Sequence, residues 1–150
     1  MCKCGVCQRI EQTKRGENPY FVKELETGYV VIGDHQRFKG YTVFICKECQ
    51  PELHMLEPEF RKKFLEEMSL VAEAAYLAFK PEKMNYELLG VGNNVHMHWH
   101  FFPRRSGDTP LVGPVWKLDK TEMYADEYRP TSEELEELKA ALLTELDKLF

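Results

Sequence analysis

Nowhere does this chain carry an apolar run near the ~20 residues that a membrane-spanning helix requires. Its opening Met1-Cys2-Lys3-Cys4 also lacks the hydrophobic stretch of a secretion signal. Basic charge is short as well: 20 Lys and Arg stand against 25 Asp and Glu, a net charge of -5. Surfaces that grip nucleic acid are dominated by Lys and Arg, so nucleic acid is excluded as the main partner, while a small anionic ligand stays compatible if basic groups gather locally. There is no internal repeat and no low-complexity segment. These absences lead to the expectation of a soluble cytoplasmic protein with no membrane partner. With 150 residues and 43% apolar content, the chain is long enough for one domain over 1–150 with its own core.

Cysteine is present in an odd number, at Cys2, Cys4, Cys7, Cys46 and Cys49. In a cytosolic chain this clustering reads as thiolate metal ligation before disulfides, with zinc the natural ion. Cys4-x-x-Cys7 and Cys46-x-x-Cys49 are two hooks, and a four-cysteine site is one arrangement they allow.

The most informative run is Val95-His96-Met97-His98-Trp99-His100-Phe101-Phe102. On a β-strand alternate side chains share a face, so the spacing predicts three imidazoles on one surface and Met97, Trp99 and Phe101 on the other. Neighbours in that row stand roughly 6.6 Å apart and the outer pair roughly 13 Å. One metal ion cannot easily hold all three, and a division of labour is the simplest reading. A dioxygenase iron site on a His-x-His pair is excluded because no histidine follows His100 to complete its facial set.

Elsewhere, Tyr20 to Leu25 and Tyr29 to Ile32 read as a hairpin joined by Glu26-Thr27-Gly28, with the glycine supplying the turn. Tyr41 to Cys46 reads as a third strand. Pro58 suits a first helical position, and Phe60, Phe64, Met68, Val71, Ala75 and Phe79 recur at helical spacing up to Pro81. Tyr86 to Leu89 and Val95 to Phe102 complete five strands around a Gly90-Val91-Gly92-Asn93 turn. The expected class is α+β: a mainly antiparallel five-stranded sheet with helices on one side. The segment from Arg104 to Pro130 reads as an extended arm. Thr131 and Glu134 form a capping-box pattern ahead of Leu135, Leu138, Leu142, Leu146 and Leu149, a final amphipathic helix.

His-x-His-x-His followed by two apolar residues resembles the signature of the histidine triad superfamily of nucleotide hydrolases and transferases. Asn93-Asn94 before the triad, Pro103-Arg104-Arg105 after it, and Gly40 to Lys47 upstream agree, so the resemblance covers about Cys4 to Arg105 and leaves an arm and helix over 106–150. The form His98-Trp99-His100-x-x-Pro103-Arg104 is similar to bacterial diadenosine polyphosphate hydrolases. The resemblance implies attack of His98 on an α-phosphate, a nucleotidyl-histidine intermediate and hydrolysis of a dinucleoside polyphosphate. A neutral imidazole is chemically suited to that task. His100 and Asn94 would donate to the phosphate or leaving group. Asp34 would sit near the ribose hydroxyls, Asn93 and Arg104 would bind substrate, with Arg104 offering a bidentate fork, and Val31, Ile32 and Phe38 would wall the base. Tyr41 stands where the family often has histidine.

The same resemblance implies a mixed structural zinc site of Cys4, Cys7, Cys49 and His96. Cys49 occupies a position where the family commonly has histidine, and His54 is the alternative ligand. Cys46 reads as a buried structural thiol. Such a closed site braces the strand that carries His98 without touching phosphate. A homodimer is expected on the same grounds. Two other readings stay open: a nucleoside phosphoramidate hydrolase or nucleotidyl transferase using the same intermediate, and a non-catalytic zinc-braced nucleotide-binding module.

Overall fold

The computed structural model describes residues 4–90 and 95–150. The expected turn over Val91 to Asn93, the site residues Asn93 and Asn94, and Cys2 lie outside the described residues. Element order is α1 (Gly5–Lys14), β1 (Phe21–Glu24), β2 (Gly28–Ile32), β3 (Thr42–Cys46), α2 (Pro58–Phe79), β4 (Lys83–Leu88), β5 (His98–Arg104), α3 (Lys120–Met123) and α4 (Ser132–Leu149). The five strands form one sheet in the order β1-β2-β3-β5-β4. Every neighbouring pair is antiparallel, as the sequence pattern led one to expect of an α+β fold.

One face of the sheet carries the main core. Phe44 and Phe101 from the strands meet Phe64, Val71, Ala72 and Ala75 of α2, with Leu135, Leu138, Leu142 and Leu146 of α4 closing the layer. Small residues on α2 let α4 approach closely, which is what the alanine run does for the packing. Glu57 caps α2, accepting from the amides of Glu59 and Phe60, with Pro58 in the first turn. The helix ends at Lys80 in the left-handed conformation, just before Pro81. On α4, Thr131 and Glu134 form the reciprocal capping box.

The other face holds a second apolar cluster of Tyr29, Val31, Tyr41, Val43, Ile45 and Phe102, covered by Ile10 of α1 and by Val115, Leu118 and Met123. Two features here depart from the sequence reading. The amino-terminal segment is a helix, because Cys4 at its cap and Cys7 one turn on are neighbours only if the backbone coils. The segment after Arg104 is not extended throughout. It turns back in short helical pieces, one begun by Asp119, whose carboxylate accepts from the Thr121 amide, and buries Val115, Leu118 and Met123. Those apolar residues draw it down onto the sheet.

The turn between β1 and β2 is also held differently from expectation. Gly28 is the first residue of β2, and a β-carbon there would collide with the Phe44 ring and the Ile45 carbonyl. The turn itself is fastened by Glu67 of α2, 2% exposed, which accepts from the Glu26 amide at 3.1 Å, the Thr27 amide at 2.9 Å and the Thr27 hydroxyl. Among the described residues no helix is long and apolar enough to cross a membrane.

Removing the Glu67 carboxylate strands the buried amide and hydroxyl of Thr27 and frees the part-buried Glu26 amide. Glu67→Ala should therefore lower the unfolding free energy by about 2 to 4 kcal/mol, read from urea unfolding curves; a loss under about 1 kcal/mol would show that the turn is held by something else.

Candidate functional site

His98 and His100 project from β5 on the same face as Phe102, whose ring stacks on His100. Met97 and Phe101 enter the core on the opposite face, with Trp99 packed against it. Side-chain parity is thus as the spacing required. His96, however, precedes the strand, since β5 begins at His98. The strand cannot start earlier because His96 is turned inward, 2% exposed, and its ring is held by two partners on other segments.

Those partners define the first of two adjoining sites. His96 Nε2 lies 2.6 Å from the Cys46 carbonyl. A carbonyl only accepts, so Nε2 carries the proton and Nδ1 carries the lone pair. Nδ1 lies 3.2 Å from Cys7 Sγ, and Cys7 Sγ lies 3.6 Å from Cys4 Sγ and 3.9 Å from Cys49 Sγ. The donor atoms of Cys4, Cys7 and His96 all fall within 4.8 Å of one another. Ligands about 2.0 to 2.3 Å from a tetrahedral ion are separated by roughly 3.5 to 3.8 Å, so soft sulfur donors and a neutral imidazole stand at the spacing such an ion requires. Burial lowers the His96 pKa, which favours the neutral, ligating form. Neither Cys49 nor His54, which lies on the turn Leu53–Met55, is in this group of three, although Cys49 Sγ reaches Cys7 Sγ. Cys46 is fully buried in the core, its thiol pKa pushed up to about 12 by burial, so it serves through its carbonyl and not its sulfur.

The second site is the cavity over the histidine face. His98 Nδ1 lies 2.8 Å from the His96 carbonyl. By the same logic Nδ1 is the protonated nitrogen and Nε2 keeps the lone pair. Next to it, ring centroid to ring centroid 4.6 Å, is His100. Its Nδ1 is 2.6 Å from the Tyr41 hydroxyl. Burial raises the Tyr41 pKa, so the phenol stays protonated and its O–H needs an acceptor, which His100 Nδ1 supplies. Burial, with a smaller contribution from His98, lowers the His100 pKa to about 3. His100 is therefore neutral with its proton on Nε2. The pair offers a lone pair on one ring and an N–H on the other.

A cavity of about 500 Å³ is lined by both histidines with Val31, Ile32, Asp34, His35 and Arg9. Asp34 Oδ2 accepts from Arg9 Nη2 at 2.6 Å, which ties α1 to the loop after β2. Phe38 does not line this cavity; it is buried against Phe102 and under the Arg104 guanidinium. Arg104 departs further from expectation. Its Nε and Nη2 reach both oxygens of Asp108 at 2.7 and 2.8 Å, and Nη1 donates to Asn85 and to the Gly113 carbonyl. The fork expected for phosphate is filled by a carboxylate four residues on, and it fastens the carboxy-terminal arm.

Tyr41, Arg9, His35 and Glu87 were not assigned roles from the sequence. Tyr41 had a signal, the glycine-tyrosine step where the triad family often has histidine. Glu87 had none, since its place opposite His100 appears only in the β4–β5 register. Arg9 and His35 had none.

No protein-family model and no curated protein matches the chain. Solved structures do. The chain is similar to a histidine triad protein from Marinobacter aquaeolei VT8, with 24% identity over 87% of this chain and 90% of that one and a TM-score of 0.72. It is similar to a hypothetical histidine triad nucleotide-binding protein from Sulfolobus tokodaii strain7, with 19% identity, 95% and 93% coverage and a TM-score of 0.71. A zinc-bound histidine triad family protein from Mycobacterium smegmatis aligns at 21% identity, 96% and 99% coverage and a TM-score of 0.62. The fold is that of the histidine triad proteins, as the sequence resemblance implied.

The depressed His100 pKa links stability to pH. The unfolded chain binds that proton near the ordinary value of 6.5 and the folded chain only near 3. Stability from this group is full above 6.5 and drains as pH falls toward 3. His100→Gln should flatten the fall in unfolding free energy between about pH 7 and pH 4; a fall as steep as in the unsubstituted protein would place the coupling on other groups.

Proposed function

We propose that this chain, which carries the histidine triad fold, hydrolyses nucleotides at the α-phosphate by covalent catalysis through His98. The observation that carries the reading is the paired state of the two rings: a lone pair on His98 Nε2 beside an N–H on His100 Nε2, both lining one cavity. The His98 lone pair attacks phosphorus while the bond to the leaving group breaks, and the leaving group departs with that electron pair. Water then adds to the phosphorus, the P–N bond breaks, its pair returns to Nε2, and the water's proton passes to solvent. His100 Nε2–H stabilises charge on a phosphoryl oxygen in both steps, and Tyr41 holds that N–H in place.

The cleft walls support a nucleoside on the side of Val31, Ile32 and Asp34, whose remaining carboxylate oxygen is suited to ribose hydroxyls. The substrate in this reading is a dinucleoside polyphosphate, of which diadenosine tetraphosphate is the type. A nucleoside phosphoramidate is the second substrate class, its nitrogen taking up a proton from solvent as the P–N bond breaks so that it leaves as a neutral amine, and a transferase would differ only in replacing water by another acceptor. The reading takes the protein as cytoplasmic and as a homodimer, in line with the resemblance.

We also propose zinc at Cys4, Cys7, Cys49 and His96. The donor chemistry and spacing of Cys4, Cys7 and His96 support it, as do the 3.9 Å between Cys49 Sγ and Cys7 Sγ and the zinc-bound neighbour. When bound, the ion supplies no chemistry to phosphate; it crosslinks α1, the segment after β3 and the approach to β5.

In a rapid-quench experiment with labelled nucleotide, label should appear on His98, and His98→Ala should lower kcat about ten-thousandfold or more. Tyr41→Phe should lower kcat about tenfold to a hundredfold with little change in KM. Turnover by His98→Ala at the original rate would end the covalent proposal, and tight nucleotide binding without turnover would favour the binding-module reading.

Purified protein should hold about one zinc per chain, and Cys7→Ser should lose it together with thermal stability. Metal analysis showing no zinc in protein grown with the metal in excess would remove the zinc proposal.

A further inference from the structure

A second cavity, of about 320 Å³, meets the first at the two histidines. Its walls come from β4 and from the carboxy-terminal arm: Glu87, Trp116 and Lys120 line it together with His98 and His100. The nucleoside side of the first cavity lies over β2 and β3, whereas this one lies over β4, across β5. A group leaving from a phosphorus held at His98 has this compartment before it.

Glu87 gives the compartment its chemistry. It faces His100 across the strand pair. Its Oε2 is shut from solvent and takes a hydrogen bond from none of the described residues. Arg104, whose charge acts on it, has its donors on Asp108, Asn85 and Gly113, and Lys120 lines the same compartment. A buried carboxylate oxygen of this kind is a cost unless a donor reaches it. It accepts from an N–H or O–H. Trp116, 63% exposed on the arm, offers an indole wall beside it for the body of the same group.

We infer that Glu87 is the specificity-determining residue for the leaving group, and that the group it selects carries a hydrogen-bond donor, an amine or a hydroxyl, on the side away from the phosphorus. The inference rests on the nucleotide-hydrolase reading for the identity of the cleft, and deepens it by naming what distinguishes one substrate from another. Among leaving groups, one that brings an amine or a hydroxyl to Glu87, the distal nucleoside of a dinucleoside polyphosphate included, is favoured over one that brings only apolar or anionic atoms there.

Two probes of equal shape separate these ideas: adenosine 5′-phosphoramidates of 1,2-diaminoethane and of propylamine, which differ only in a terminal amine. Affinities are measured by calorimetry in a His98→Ala background, where no turnover intervenes, with and without Glu87→Leu, and with Glu87→Gln as the isosteric control. The amine probe should bind about tenfold or more tightly than the propyl probe. That ratio should collapse to about one with Glu87→Leu and fall partway with Glu87→Gln, which keeps an acceptor but loses the charge. Equal binding of the two probes, a ratio unmoved by both substitutions, or no binding of either probe overturns the inference. Labelling of His98 in the unsubstituted protein is scored separately. Discrimination without label would sink the catalytic reading and leave the recognition by Glu87 standing; label without discrimination would do the reverse.

Discussion

The hydrogen bond from His96 Nε2 to the Cys46 carbonyl is the constraint on which the rest of the site depends. It fixes the tautomer of a buried imidazole and so decides that Nδ1 faces Cys7 with a lone pair. It also joins the end of β3 to the approach to β5, an attachment the Cys46 amide strengthens by donating to the Met97 carbonyl at 3.1 Å. The carbonyl of the same His96 then orients the next ring, because His98 Nδ1 donates to it. One residue thus turns a lone pair toward the cysteine cluster on one side and orients the His98 ring on the other. A histidine is needed for this, since no other side chain combines a donor and a separate lone-pair nitrogen across one rigid ring.

The amino-terminal helix extends that constraint to the cleft. Cys4 and Cys7 belong to its first turn, and Arg9, barely half a turn later, reaches Asp34 at 2.6 Å. Anchoring the sulfur end of α1 therefore fixes the guanidinium that positions Asp34. The helix is short and its apolar residues bury little, with Ile10 its sole fully buried residue. Isolated helices of about ten residues are marginal in water. Its place on the sheet has to come from the side chains at its start and from the Arg9–Asp34 pair, which at 29% and 34% side-chain exposure is only a modest contributor. Zinc at the cysteine cluster, as proposed, would have that physical task in the fold.

How much of this was legible in the sequence follows from the range of each interaction. Period-two alternation is local, and it gave the sides of Met97, His98, Trp99, His100 and Phe101. Helical periodicity and capping gave α2 and α4 for the same reason. The strand start failed at His96 because a non-local bond to Cys46 pulled that residue inward, and alternation holds no information about such a partner. The Arg104 fork failed differently. Its competitor, Asp108, is only four residues away, but an ion pair across a turn can be read only once the turn is known. Arg9 carried no signal because its meaning lies in Asp34, reached through a helix that the cysteine spacing was read past. Tyr41 was visible as a substitution of residue type, and its consequence, a phenol that holds the His100 tautomer without ever taking a charge at neutral pH, appears only with the 2.6 Å contact.

That substitution bears on how chemistry and specificity are divided. His98 and His100 take their states from His96 and Tyr41, residues of the sheet and its immediate approach, whose positions are set by β3, β5 and the core. Glu87 and Trp116 belong to the sheet edge and to an arm that Arg104 fastens at its start and that Val115, Leu118 and Met123 seat on the cluster of Tyr41 and Phe102. The reactive pair and the compartment beyond it therefore share that cluster and differ in the elements that carry their side chains. In the proposed reaction, exposed positions of the arm such as Trp116 can vary what meets the leaving group while His98 keeps its tautomer from the His96 carbonyl. A sheet edge is the natural place for such variation, because β4 pairs on one side only and a side chain there can change without breaking a second ladder of hydrogen bonds. The central position of β5, bonded on both sides, is by the same argument where an arrangement that must hold two imidazoles 4.6 Å apart has to be built.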